Sequence, residues 1–394
     1  MGYMPHAGDF LLKKDLGREK HYPLKIYFCC DCSLVQVLEV IEPDILFGDY
    51  RYLSSIGSSW HFEEYAKELA SGYLKKGDFV VEIGSNDGVL LSPLKKLGIK
   101  VLGVDPAKNV AQIANKKGLK TIVDYFGEKT SKKIRKTYDQ ADAIFANNVL
   151  AHIDDMDDVF KGIRKLLKAK GMLVFEVHYL ADLIDKLQYD FFYNEHLCYH
   201  SLTSLIPFLR KHGMEIFNIK RIPVHSGSIR AFVKFSKNKK IKIESVVEKS
   251  LREEIEKGFN KYNNLKSFAL KVVDHRAKLR RVLRKIKSGG NKIVGYGASG
   301  RANTLLNFGK IGTNLIDYIV DESPERYGRF TPGTHIPIVP PEIFRKDKVK
   351  HALLLAWNYK DMIIKKEFDF IKNGGKFIIP LPKIEIIPKS PLVG

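Results

Sequence analysis

Disulfide frameworks, membrane spans and RNA-reading motifs all lack support in this 394-residue sequence. Only 4 cysteines occur, three crowded into Phe28-Cys-Cys-Asp-Cys32 and one alone at Cys198, which excludes a disulfide scaffold and suits a reducing compartment. No run approaches the roughly 18 apolar residues that a membrane helix needs. The N-terminus has no apolar signal core, so a cytoplasmic protein with no membrane partner is expected. Arginine-rich tracts are missing too, and the formal net charge of +21 comes from lysines spread along every segment. That spread argues against a nucleic-acid partner. It leaves the excess charge as solvated surface or as an attractor for a phosphorylated substrate.

What is present is organised around residues 79–91, Phe-Val-Val-Glu-Ile-Gly-Ser-Asn-Asp-Gly-Val-Leu-Leu. Val80, Val81 and Ile83 predict a strand buried on both faces of a parallel sheet. Gly84 and Gly88 bracket a turn whose N–H groups, with the helix start that follows, can approach a ligand closely. A second strand, 100–104, ends in Asp105 and Pro106. An acid about 20 residues after the first glycine can accept ribose hydroxyls. The turn is E-x-G-x-x-x-G, and with the Asp105-Pro106 ending it resembles class I S-adenosylmethionine-dependent methyltransferases. The cofactor residues expected from it are Glu82, Gly84, Ser85, Asn86, Asp87, Gly88, Asp105 and Pro106.

Residues 1–58 read as an irregular arm, 59–236 as the methyltransferase domain, 237–288 as a helical linker and 289–394 as a C-terminal domain. Within the second segment, helix and strand alternate through helix 109–117, strand 121–124, helix 129–136 and strand 141–146. The fold class is therefore α/β with a doubly wound parallel sheet. Ligands in such sheets sit at the carboxyl ends of strands, which places Asn147, Asn148 and His152 at the expected site, the two asparagines as cofactor candidates. In the arm, Cys29 and Cys32 have the spacing of half a zinc site. A closed site needs four ligands. Completion by Cys30 with His21 or His6 stays open, beside free thiols.

The other chemically dense stretch is Tyr189-Asp-Phe-Phe-Tyr-Asn-Glu-His-Leu-Cys-Tyr-His-Ser-Leu202. His196, preceded by Tyr193 and Glu195, has what proton abstraction next to a carbonyl requires, although the same residues could form an aromatic packing loop. Tyr193-Asn-Glu-His-x-x-Tyr-x-Ser201 joins Tyr22-Pro-Leu24, Cys29-x-x-Cys-x-Leu-Val-Gln36, Glu82-Ile-Gly-Ser-Asn-Asp-Gly88, Gly227-Ser-Ile-Arg230 and the Gly295 tract. Together, over nearly the whole chain, they resemble the nucleotide-sugar C-methyltransferases, which methylate a carbon of a dTDP- or similarly activated keto-sugar. The resemblance implies S-adenosylmethionine as cofactor and His196 as the base that takes the proton α to the ketone. Tyr193 and Glu195 would be its neighbours, His152 a second polar group, and Tyr50 or Tyr52 a contributor from an aromatic loop. It also implies substrate contacts at Gly227, Ser228 and Arg230. Two departures stand out: the family's zinc module has two C-x-x-C pairs and this sequence shows one, and Ser226 replaces a usual glycine.

Residues 289–394 open on Asn291-Lys-Ile-Val-Gly-Tyr-Gly-Ala-Ser-Gly300, a G-x-G-x-x-G fingerprint with Asp321 beyond the next strand. Alone it points to NAD, so a two-domain NAD-dependent oxidoreductase is the rival expectation, with an RNA methyltransferase behind it on charge. In the sugar C-methyltransferases the same tract belongs to a domain contacting the nucleotide sugar. That implies roles for Tyr296, Gly297, Ala298, Arg301, Asn303, Thr304 and Asn307, with Arg301 and helix amides cradling a diphosphate. A monomer is expected.

Overall fold

The continuous apolar run Phe79–Ile83 forms β1, an interior strand of a seven-stranded sheet, in the computed structural model, which describes residues 1–48, 50 and 53–388. The other strands are β2 (Lys100–Val104), β3 (Thr121–Ile122), β4 (Ala141–Asn147), β5 (Leu167–His178), β6 (Met214–Ile222) and β7 (Ser228–Phe235). Their order is β6-β7-β5-β4-β1-β2-β3. β1 to β5 pair in parallel, and β7 runs antiparallel to both its neighbours. The order reverses between β1 and β4, so Glu82 and Asn147 meet at the crevice where such sheets bind ligands.

A second sheet contains β8 (Ile293–Tyr296), β9 (Ile319–Val320), β10 (Ile338–Val339), β11 (His351–Leu354), β12 (Lys376–Ile379) and β13 (Glu385–Ile387). Its order is β10-β9-β8-β11-β12-β13, parallel up to the antiparallel edge strand β13. The fold is α/β with two parallel-rich sheets. Helix Ser245–Glu256 docks on the first sheet's side, where Glu254 accepts from the Leu202 and Thr203 amides at the start of helix Leu202–Lys211. Helix Tyr262–Ser288 buries Val272, Leu279 and Leu283 in the core of the second sheet.

The arm is more regular than its sequence suggests. Gly2–Pro5 pairs with His21–Leu24, and Val35–Gln36 lies between Tyr27–Phe28 and Cys198–Tyr199. Strands of two to four residues are too short to leave a periodic signature, but each is paired. The arm also reaches the C-terminal domain, through a Leu11–Phe330 bridge and the Asn303 side chain donating to the Ala7 carbonyl at 2.6 Å. Arm, residues 180–199 and second sheet thus share one apolar core.

Candidate active site

The glycine turn after β1 adopts backbone that L side chains avoid, with φ of 66° at Gly84 and 80° at Gly88. A Cβ at Gly84 would stand 2.8 Å from Val149, and one at Gly88 2.4 Å from Leu119. Glycine is therefore needed at both places for close packing as well as for conformation. Asp105 holds the turn: its carboxylate accepts from the Asn86 amide at 2.8 Å and the Ala107 amide at 2.9 Å, just past Pro106. Burial raises its carboxyl above the ordinary value despite both amides. The Asn86 side chain accepts in turn from the Asp87 and Ser54 amides.

Glu82 is buried with one oxygen accepting from Asn147 at 3.0 Å. Burial, reinforced by the charges of Asp105, Glu176 and Asp87, pushes its carboxyl up to about 8 against the opposing Asn147 bond. Its other oxygen, the Ser85 hydroxyl and the side-chain carbonyls of Asn147 and Asn148 are buried without a partner among the described residues. Buried acceptors this concentrated call for a donor-rich or cationic ligand. S-adenosylmethionine, with its ammonium, sulfonium and ribose hydroxyls, fits that lining.

Beside this turn, the loop after β5 gathers imidazoles. His196, 2% exposed, places Nδ1 3.1 Å from the Phe191 carbonyl. A carbonyl only accepts, so Nδ1 carries the proton and Nε2 is the basic nitrogen. Its ring lies parallel to Phe191 at 5.5 Å, with Tyr193 at 4.2 Å, His178 at 4.6 Å and His152 at 4.9 Å. The Leu197 amide donates to the Ala151 carbonyl, which ties the loop to the turn bearing His152. Burial lowers the His152 pKa and takes that of His200 down to about 4, so both rings are neutral at physiological pH. Burial raises the Tyr193 phenol, helped by the Glu195 charge. His178 was not singled out from the sequence, although its place at the carboxyl end of β5 was a usable signal. The Tyr50 ring is inclined at 58° to Phe47 with centres 5.8 Å apart, and Phe47 meets the His152 ring at 5.6 Å, so the aromatic loop does reach this cluster. Tyr52 lies outside the described residues.

A family model described as a methyltransferase domain matches residues 59–218, and one described as a C-methyltransferase C-terminal domain matches 223–382. A model for a proposed zinc-binding domain covers 1–47. The C-methyltransferase NovU of Streptomyces niveus is 34% identical over 98% of this chain and 93% of its own. This chain belongs to the S-adenosylmethionine-dependent C-methyltransferases. A ubiquinone biosynthesis O-methyltransferase of Pelagibacter ubique is 30% identical over 24% of this chain and 39% of its own. Among solved structures, the magnesium protoporphyrin IX methyltransferase of Synechocystis with bound S-adenosylhomocysteine overlies 45% of this chain and 83% of its own, at 14% identity and a TM-score of 0.37.

For a C-methyltransferase with this turn, cofactor binding near neutral pH should release close to one proton. Glu82 titrates near 8 and is therefore protonated at pH 7; a cationic ligand beside it lowers that value, so the complex binds fewer protons. Affinity for S-adenosylmethionine then rises with pH up to about 8 and levels off. Calorimetry in two buffers of different ionisation enthalpy measures the proton, which Glu82→Gln should abolish. No proton release by the unmodified enzyme between pH 6 and 8 would place Glu82 away from the cofactor.

The C-terminal glycine turn is held by its acid much as the first turn is held by Asp105. Asp321, the position an NAD ribose would use, accepts from the Ala298 amide at 2.6 Å, the Ser323 amide at 2.8 Å and Arg326 at 3.2 Å. Arg301, expected on a diphosphate, instead grips Asp190 at 3.0 and 3.1 Å between the Phe191 and Trp357 rings. Gln188 and the Trp357 indole N–H complete that junction. Gly297 (φ 94°) packs so closely on Ala356 that a Cβ would stand 2.4 Å away. Tyr296 points inward to Glu367. Asn303, Thr304 and Asn307, by contrast, line a small cavity with Tyr193 and Asn194 from the His196 loop.

Gly227 and Ser228 also reach the His196 side, because β7 starts where β5 ends and Ser228 lies opposite His178. Arg230 does not: all three of its guanidinium nitrogens are engaged, two by Glu176 at 2.8 and 2.6 Å and one by Glu68 at 2.7 Å. It is an internal ion pair, because buried charge must be neutralised where it lies.

The zinc expectation fares differently from the cofactor's. Cys29 and Cys32 sit on a tight turn in which the Ser33 amide donates to the Cys29 carbonyl. His6 is bonded to Glu195 and His21 to the Glu19 carbonyl. Among the described residues no group of three or more His, Cys, Asp or Glu side chains could hold a metal. The residues do not fit a closed four-ligand zinc site. Nor is any helix among the described residues long and apolar enough to cross a membrane.

Proposed function

We propose that the enzyme methylates the carbon α to the ketone of a nucleotide-diphosphate-linked keto-deoxysugar. The observation that carries this is His196: a buried imidazole whose tautomer is fixed by the Phe191 carbonyl, presenting Nε2 among His152, His178 and Tyr193 next to the cofactor turn. Oxygen and nitrogen acceptors bring their own lone pair, whereas a carbon acid needs a base that takes its proton first. The motifs shared with nucleotide-sugar C-methyltransferases supply the acceptor class, and a chain of net charge +21 favours a multiply charged anion.

S-adenosylmethionine, when bound, supplies an electrophilic methyl group on a sulfonium. His196 Nε2 would remove the α proton, and the enolate carbon so formed would be the nucleophile for that methyl group, with the bonding pair left on sulfur. The proton stays on the imidazole until solvent takes it. Tyr193 and His152, both uncharged, can hydrogen-bond the enolate oxygen, and Phe191 keeps the base from turning. Asn303, Thr304 and Asn307 are the C-terminal residues assigned to the acceptor, with Gly227 and Ser228 from the methyltransferase domain. Asp105 and the Gly84–Gly88 turn are assigned to the cofactor, with Asn147 and Asn148.

A thermal-shift panel of dTDP, UDP, GDP and their sugars tests the acceptor class. Saturation at about 100 times Kd should stabilise the binding state by about 2.7 kcal/mol, visible as a rise in Tm for one nucleotide family. Indifference to every member, with salt-sensitive binding of RNA, would replace the sugar reading with a nucleic-acid one.

A further inference from the structure

We propose that His6, on the N-terminal arm, is a positioning residue for the methylation, acting through Glu195 so that the arm completes the active site. His6 Nε2 lies 2.9 Å from Glu195 Oε1, and the two side chains are only 18% and 12% exposed. The contact joins segments 189 residues apart. It is presented rather than accidental: the next residue's carbonyl accepts from Asn303 at 2.6 Å, Phe10's carbonyl accepts from Arg329 at 3.1 Å, and Leu11 bridges to Phe330. On the far side, Asn194 donates to the Pro23 carbonyl in the same arm. The arm's backbone packs so tightly here that a Cβ on Gly8 would stand 3.3 Å from Glu195 Oε1 and 3.4 Å from the His6 ring.

The consequence is a carboxylate kept ionised next to the base. Burial alone would raise the Glu195 carboxyl; the hydrogen bond and charge of His6, with His152 behind them, bring it below its ordinary value. The groups facing Glu195 are His6 from the arm, His152 from the turn after β4, and Tyr193 in its own loop. Tyr193 is faced in turn by Tyr50 and Arg301. A negative charge beside His152 and Tyr193, the two rings packed 4.9 and 4.2 Å from His196, favours the imidazolium that forms when His196 accepts a proton, and a fixed Glu195 fixes the loop that carries His196. His6 touches none of the reacting atoms in this scheme.

The proposal rests on the assignment of Glu195 and His196 to the catalytic loop, and the test separates the two. The full-length chain, labelled with 13C at glutamate carboxyls, is titrated by NMR, with the Glu195 signal identified from Glu195→Gln. His6 lowers the folded Glu195 pKa, so His6→Leu should move its midpoint to higher pH, and His6→Gln, which keeps a donor without the charge, should move it less. In transfer of labelled methyl to dTDP-linked keto-deoxysugars, His6→Leu should lower kcat about 10-fold and shift the acid limb of the kcat profile to higher pH. KM for S-adenosylmethionine should stay put, and His6→Gln should recover most of the loss. An unmoved Glu195 midpoint in a His6→Leu chain that S-adenosylhomocysteine still stabilises would overturn the proposal. If His6→Leu does not fold, an unmoved midpoint in His6→Gln does the same. Failure of the unmodified enzyme to methylate any acceptor would instead count against the acceptor class, leaving the titration to decide on His6.

Discussion

Replacing His196 by asparagine should lower turnover by about 100-fold or more while leaving S-adenosylhomocysteine binding unchanged, since losing a positioned general base costs roughly 10²–10⁴. Asparagine can still donate to the Phe191 carbonyl in place of Nδ1–H, so packing against Phe191 and Tyr193 is disturbed little. What disappears is the basic Nε2. Solvent deuterium exchange at the acceptor carbon without the methyl donor isolates this step, because it reports proton removal alone. The variant should lose exchange and methylation together. Near-normal turnover in His196→Asn would move the base to His152 or His178, the rings 4.9 and 4.6 Å away.

Arg230→Met carries the largest expected effect on stability, a loss of about 3–5 kcal/mol, the usual cost of removing one partner from a buried ion pair. The Arg230 guanidinium lies 3.3 Å over the centre of the Tyr65 ring and bonds Glu176, which is fully buried with His61 on its other side. Burial would raise the Glu176 carboxyl, but the His61 hydrogen bond and the Arg230 charge outweigh it and hold the value below normal. A depressed carboxylate contributes stability above its unfolded pKa of about 4.3 and loses it as pH falls. The deficit in Arg230→Met should therefore be full at pH 7–8 and narrow on approach to pH 4, where Glu176 can protonate. Glu176→Gln in the Arg230→Met background should recover part of it. Chemical denaturation read at the first transition measures both. An unchanged midpoint, with weakened acceptor binding, would return Arg230 to the substrate side.

That assignment shows where the sequence stopped being informative. β1, β2 and β4 were legible because both faces are buried and the code is a continuous apolar run. β6 and β7 were not singled out, since Arg230 and Lys234 interrupt the apolar pattern although β7 is buried; their charges are neutralised by Glu176 and Glu215. The cofactor turn and the 193–196 loop were readable because their chemistry is contiguous in the chain. The Arg301 ion pair was not legible for the opposite reason: its carboxylate partner Asp190 is 111 residues away, and a helix N-terminus with an arginine looks the same whether it meets a phosphate or an internal aspartate. His6 drew notice only as a candidate metal ligand, because nothing local links it to Glu195.

The central claim is carbon methylation of an activated keto-sugar, and the most direct measurement is to follow the transferred carbon. With 13C-methyl S-adenosylmethionine and dTDP-linked keto-deoxysugars, the product methyl should appear in the NMR spectrum as a C–CH₃ signal coupled to a sugar ring carbon, with loss of the α proton from that carbon. A methyl signal with the shift of an O–CH₃ or N–CH₃ group on the same acceptors, or transfer to RNA and to no nucleotide sugar, would contradict it.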